Sequence, residues 1–138
     1  MKTNKAKIFR NGEAKAIELV AKILRTRKIV RNKGVFEWLR GDKRKNGRKG
    51  LKLRVDAWFP EENLVLEYHG IQHFKPSKLM DRRKGRAAQR RKYTWRRQIL
   101  IPKHGINLME IRYDEPLTEE YIRPWLCEMG YKVKKYKI

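Results

Sequence analysis

Asp56, Glu67 and His69 are the side chains in this chain whose types and spacing are best suited to joint chemistry, and they lie in the stretch 53–74, LRVDAWFPEENLVLEYHGIQHF. Leu51, Leu53, Val55, Ala57 and Phe59 alternate with Lys52, Arg54, Asp56 and Trp58. That period is the mark of a strand with one apolar and one polar face, and Asp56 falls on the polar face. Pro60, Glu61, Glu62 and Asn63 supply turn chemistry, after which Leu64, Leu66 and Tyr68 alternate with Val65, Glu67 and His69. Glu67 and His69 therefore point the same way, and pairing of the two strands sets Asp56 across from both. Two carboxylates brought close repel each other unless a cation lies between them, and hard oxygen donors suit Mg²⁺ or Mn²⁺. Periodicity alone is satisfied equally by a surface hairpin with scattered charges.

The hairpin must be held by other elements. Asn11 can cap a helix running to about Arg27, with Ala16, Ile17, Val20, Ile23 and Leu24 as its buried stripe. Glu13 begins that stripe and faces inward, whereas Glu18 points away; a glutamate there can serve a site or merely complement the helix dipole. Residues 28–40 read as a strand or two broken near Asn32 to Gly34. The run GDKRKNGRKG at 41–50 has nothing to bury and reads as a flexible loop, with Lys43, Arg44, Lys45 and Arg48 as phosphate contacts.

After the hairpin, Gly70 lets the chain turn close to the carboxylates, and Gln72 and His73 can reach a phosphate or a water. Either His69 or His73 can serve as the proton acceptor. Ser77 can cap a second helix from Lys78 toward Gln98, the most basic segment of the chain. Arg82, Arg83, Lys84, Arg86, Arg90, Arg91, Lys92, Arg96 and Arg97 surround it, and Leu79, Ala87, Ala88, Tyr93, Trp95 and Leu100 give it a thin apolar side. Such a helix repels itself without a polyanion. Asp81, its single acid, is an ion-pair partner or a further acidic site position. Tyr93 and Trp95 read as core or as stacking groups. A strand over 106–113 and a helix over 117–129, capped by Thr118 and bent at Pro124, follow. The last eight residues read as an edge strand or a basic tail.

Asp56, a short turn and Glu67-x-His69 together resemble the Asp…(Asp/Glu)-x-Lys core of the PD-(D/E)xK nuclease superfamily, with His69 where that pattern has its water-orienting lysine. The string EYHGIQHF, a glutamate before the first strands and an aspartate after them are similar to the Vsr-like, or EDxHD, branch. That branch includes homing endonucleases and very-short-patch repair endonucleases. GINLMEIRYDE resembles the strand that follows the basic helix in the same family, so the likeness spans roughly residues 11–113. It implies a restriction-endonuclease-like α/β fold, a mixed central sheet flanked by helices. It also implies Mg²⁺ (or Mn²⁺) on Asp56 and Glu67, and Glu13 and Asp81 as the outer acidic positions.

The whole chain bounds these expectations. Its 138 residues suit one domain, 11–138, behind a basic arm at 1–10. Lys and Arg number 37 against 15 acids, a net +22, which calls for a polyanionic partner. DNA is the natural one, RNA is equally consistent with charge, and a homodimer is left open. No apolar run suits a membrane span and no leader pattern opens the chain, so the expected setting is intracellular, cytoplasmic or nucleoid-associated, and not secreted. Cys127 has no partner for a disulfide and reads as a core-side residue of the last helix. Together these features imply a metal-dependent DNA endonuclease of homing or repair type. Its rivals are a structure-selective junction nuclease and a non-catalytic nucleic-acid-binding protein on a degenerate nuclease fold.

Overall fold

In a computed structural model, the backbone is described for residues 4–71 and 85–133, and side chains from Gly12 onward within those ranges. Gln72, His73, Asp81, Arg82, Arg83 and Lys84 lie outside the described residues. The elements are α1 (Asn4–Leu24), β1 (Val30–Lys33), β2 (Val55–Phe59), β3 (Leu64–His69), α2 (Arg86–Lys103), β4 (Asn107–Arg112) and α3 (Glu119–Glu128). The fold is mixed α/β with one open sheet of order β1-β2-β3-β4. β1, β2 and β3 are antiparallel neighbours, while β4 runs parallel to β3. A parallel neighbour cannot be reached by a tight turn, and α2 lies in the connection that returns the chain to it.

β3 is nearly all buried because both of its faces are covered. Leu64 and Leu66 join Ala57, Phe59, Met109 and Ile111 against Ala16, Ile17 and Val20 of α1 and Ile122 and Leu126 of α3. Val65, one residue out of phase, packs on the opposite side with Leu39, Leu53, Val55 and Ile101 of α2. The sheet is thus sandwiched, which is why β3 reads LVL without polar interruption until Glu67. Ala57 and Phe59 belong to the first cluster and Val55 to the second, so the alternation of β2 breaks beside Asp56.

Several boundaries differ from the sequence expectations. α1 begins at Asn4, before the expected Asn11 cap, and stops at Leu24. Arg25 there turns left-handed at φ 57, and Thr26 N–H returns to Ala21 O at 3.1 Å, a closed helix end that leaves no turn for residues 25–27 to extend. Leu51 is 68% exposed, and in the segment between β1 and β2 the chain makes an isolated bridge, Arg40 to Lys52. Cys127 is exposed, because Ile122 and Leu126 define the buried stripe of α3 and Cys127 stands beyond it. Trp95 is 63% exposed, not on the packed side of α2, which is set by Tyr93, Leu100 and Ile101. Thr118 does cap α3, its Oγ1 accepting from Tyr121 N–H at 3.3 Å. Among the described residues no helix is long and apolar enough to cross a membrane.

Candidate functional site

The β2–β3 pairing runs from Phe59–Leu64 through Ala57–Leu66. At the next position the ladder gives way to side chains. Asp56 N–H donates to Glu67 Oε2 at 2.7 Å, and Tyr68 N–H donates to Asp56 Oδ2 at 2.7 Å. Each carboxylate thus takes the place of a backbone carbonyl, satisfying an amide that would otherwise be orphaned while its own rotamer is pinned.

Glu13 reaches the same point from α1 and hydrogen-bonds the Asp56 carboxyl. Gly12 makes that approach possible: a Cβ there would sit 2.5 Å from the Tyr68 hydroxyl oxygen and 2.9 Å from its ring carbon Cζ. From the other side of the sheet, Arg97 of α2 brings Nε to 3.4 Å from Glu67 Oε1 and donates to Arg54 O at 2.9 Å. The structure therefore gathers Glu13, Asp56 and Glu67, with Arg97 as a nearby cation.

Electrostatics at this point are unbalanced. Burial, then the Asp56 charge and its hydrogen bond, push the Glu13 carboxyl up to about 7 against the opposing pull of Arg31. Burial and the Asp56 charge push Glu67 up to about 8, although the Asp56 N–H bond and Arg97 act to lower it. Without further positive charge the carboxyls hold on to protons. Among the described residues no group of three or more Asp, Glu, His or Cys side chains forms a ready coordination shell. The donors nonetheless fit Mg²⁺, which binds through one or two carboxylates, keeps several waters and takes further oxygens from a phosphate instead of a full protein cage. Asp56 and Glu67 are the residues that could hold it.

His69 turns toward β4. Its Nε2 lies 2.6 Å from Glu110 Oε2, which also accepts from Gln98 Nε2 at 2.8 Å. Burial acts to raise the Glu110 carboxyl, but the hydrogen bonds from His69 and Gln98 outweigh it and hold it below the usual carboxylate value. Glu110 is the residue that sequence reasoning missed. It is the register partner of Glu67 across the parallel β3–β4 pair, a relationship invisible until the strands are paired. The one available signal was its phase on β4, opposite to the buried Met109 and Ile111.

The two basic segments meet. Asp42, at the head of the loop, accepts from Lys92 Nζ and Arg96 Nη2, each at 2.8 Å, and its N–H donates to the Tyr93 hydroxyl at 3.0 Å. Arg96 Nη1 also bonds Arg40 O at 2.8 Å. Hydrogen bonds from Lys92 and Arg96 keep the Asp42 carboxyl below its ordinary value. The loop is therefore latched to α2, and Tyr93 serves in that latch instead of as a stacking surface. Lys43, Arg44, Lys45, Arg48, Arg86, Arg91 and Lys92 are exposed, whereas Arg90, Arg96 and Arg97 are half-buried. Comparisons of the chain with protein-family models, with curated proteins and with solved structures find no match.

Proposed function

We propose that this chain is a metal-dependent DNA endonuclease, of homing or repair type, that hydrolyses phosphodiester bonds on a restriction-endonuclease-like fold. The observation that carries the reading is the carboxyl cluster of Glu13, Asp56 and Glu67, short of positive charge, in a chain of net +22. The order helix, three antiparallel strands, basic helix, parallel strand supports the fold assignment. Asp56 and Glu67 would hold Mg²⁺, which when bound supplies Lewis-acid polarisation of a phosphate and acidification of a water. Glu13 hydrogen-bonds Asp56 and fixes its orientation. Arg97 balances part of the Glu67 charge. His69, oriented by Glu110, assists proton transfer, a role that the sequence also offers to His73. The exposed cations of the loop and α2 hold the backbone by charge, without sequence preference. Incubation with supercoiled, linear and branched DNA, with and without Mg²⁺, tests this reading and separates general from structure-selective cleavage.

A second reading has its own observation. Arg97 already offsets Glu67, and the raised Glu13 and Glu67 can share protons with Asp56, so the cluster is also a self-consistent structural feature of a non-catalytic nucleic-acid-binding protein. Such a protein binds DNA or RNA and shows no cleavage at any Mg²⁺ concentration.

A further inference from the structure

α2 turns two faces to different tasks. Tyr93, Arg97 and Ile101 face the sheet and loop. On the other side, Ala88, Trp95, Ile99 and Pro102 recur at offsets of seven, four and three residues and form one exposed stripe. Trp95 is 63% and Ile99 48% exposed. Arg91 and Lys92 flank Trp95 one turn earlier, Lys103 stands one turn beyond Ile99, and all are exposed.

A second copy docked on this stripe would set Arg91 and Lys103 against their own like charges, and a neutral protein partner would bury them unpaired; both cost free energy. A polyanion with accessible flat faces satisfies the cations and the indole together. In a duplex the base faces are stacked and closed to an indole, whereas an unpaired base offers its π-face beside its own phosphate.

We infer that the outward face of α2 is a stacking contact for unpaired nucleic-acid bases, with Trp95 as the platform and Arg91 holding the adjoining phosphate. It rests on the nucleic-acid half of the function proposed above and not on catalysis. It lies on the opposite face of α2 from the carboxyl cluster, and because only an unpaired base opens its π-face to an indole, it selects strands that are already open, such as junctions, flaps or single strands.

The test is equilibrium binding of the full chain, without divalent metal, to an oligothymidylate and to a duplex of equal length. Trp95→Ala is expected to weaken single-strand binding by about 5-fold to 150-fold, the range for loss of one stacked base. Trp95→Phe is expected to keep most of the affinity, and duplex binding to change by less than about 2-fold. No loss on the single strand, or equal loss on both, overturns the inference. So does a Trp95→Ala effect confined to dimer mass in sedimentation, or to binding of phosphatidylserine vesicles. If the parent chain binds no DNA, this inference and the proposed function fall together; if it binds single strands through Trp95 yet never cleaves with Mg²⁺, only the nuclease reading falls.

Discussion

Asp56 and Glu67 replace a rung of the β2–β3 ladder: the Asp56 amide donates to Glu67 Oε2 at 2.7 Å, and Asp56 Oδ2 takes the next amide, that of Tyr68, at 2.7 Å. The strands remain tied while two acidic groups are fixed side by side in a largely buried place. Mutual repulsion and burial oppose ionisation there, and the backbone donors favour it. For Glu67 burial wins.

That imbalance sets a pH dependence. Glu13 and Glu67 have folded-state values of about 7 and about 8 against an ordinary 4.5. For acids raised on folding, the native state binds more protons than the unfolded chain between the two values. The associated stability is fully present below about 4.5 and is lost as pH rises through about 8. The metal-free protein should therefore show a falling Tm from about pH 5 to pH 9, with a shallower fall in Glu67→Gln. Mg²⁺ should raise Tm more at the alkaline end, where it no longer competes with protons. A Tm independent of pH and of Mg²⁺ would remove the electrostatic basis of the site.

The His69–Glu110 pair gives a kinetic prediction. His69→Ala should lower the Mg²⁺-dependent cleavage rate by ~10²-fold or more, as loss of a proton-transfer group does. Glu110→Gln keeps the shape but loses the charge that orients the ring, and should cost about 10-fold to 100-fold with DNA affinity unchanged. If both variants cleave at the parent rate, proton transfer belongs elsewhere, and His73→Ala is the variant to measure next.

Gly12 offers a test of geometry. Alanine is favoured over glycine in a helix by about 1 kcal/mol, yet a Cβ at Gly12 would meet the Tyr68 ring. Gly12→Ala should leave the fold intact while shifting α1, and Glu13 with it, lowering cleavage by up to about 10²-fold. Adding Tyr68→Phe, which removes the hydroxyl oxygen nearest that Cβ, should restore part of the rate. Full activity in Gly12→Ala alone would show that Glu13 need not touch Asp56.

The hairpin was legible because its chemistry is local: period-two alternation, a Pro60-to-Asn63 turn, and Asp56 facing Glu67 follow from neighbouring residues. Glu13 was legible for the same reason, as the first member of a helical stripe. Glu110 was not, since its role depends on a parallel pairing made across the α2 connection. The Asp42 latch was hidden likewise: the sequence shows two basic runs, and only the fold brings Lys92 and Arg96 onto one carboxylate of the other run. Trp95 was grouped with Tyr93 by composition, but two residues along a helix separate side chains by about 200°.

The latched loop and helix predict a salt dependence. Each phosphate neutralised on a duplex contributes about −0.9 to the slope of log affinity against log salt. Lys43→Ala/Arg44→Ala/Lys45→Ala should reduce the slope by about one unit or more, and weaken binding equally for unrelated sequences. Arg86→Ala/Arg91→Ala should act in the same direction without disturbing Asp42. Identical slopes in parent and both variants would show that these cations do not touch the backbone.

A metal-dependent phosphodiesterase site on Asp56 and Glu67 stands or falls on cleavage of DNA by Asp56→Asn and Glu67→Gln beside the parent chain, each with and without Mg²⁺. Both variants should retain a cooperative melt and DNA affinity equal to or above the parent's, because Asn and Gln keep the shape and add no negative charge to a site that faces phosphate. This site assignment requires Mg²⁺-dependent cleavage by the parent and none by either variant. Cleavage at the parent rate in either variant, or none by the parent at any Mg²⁺ concentration, would contradict it.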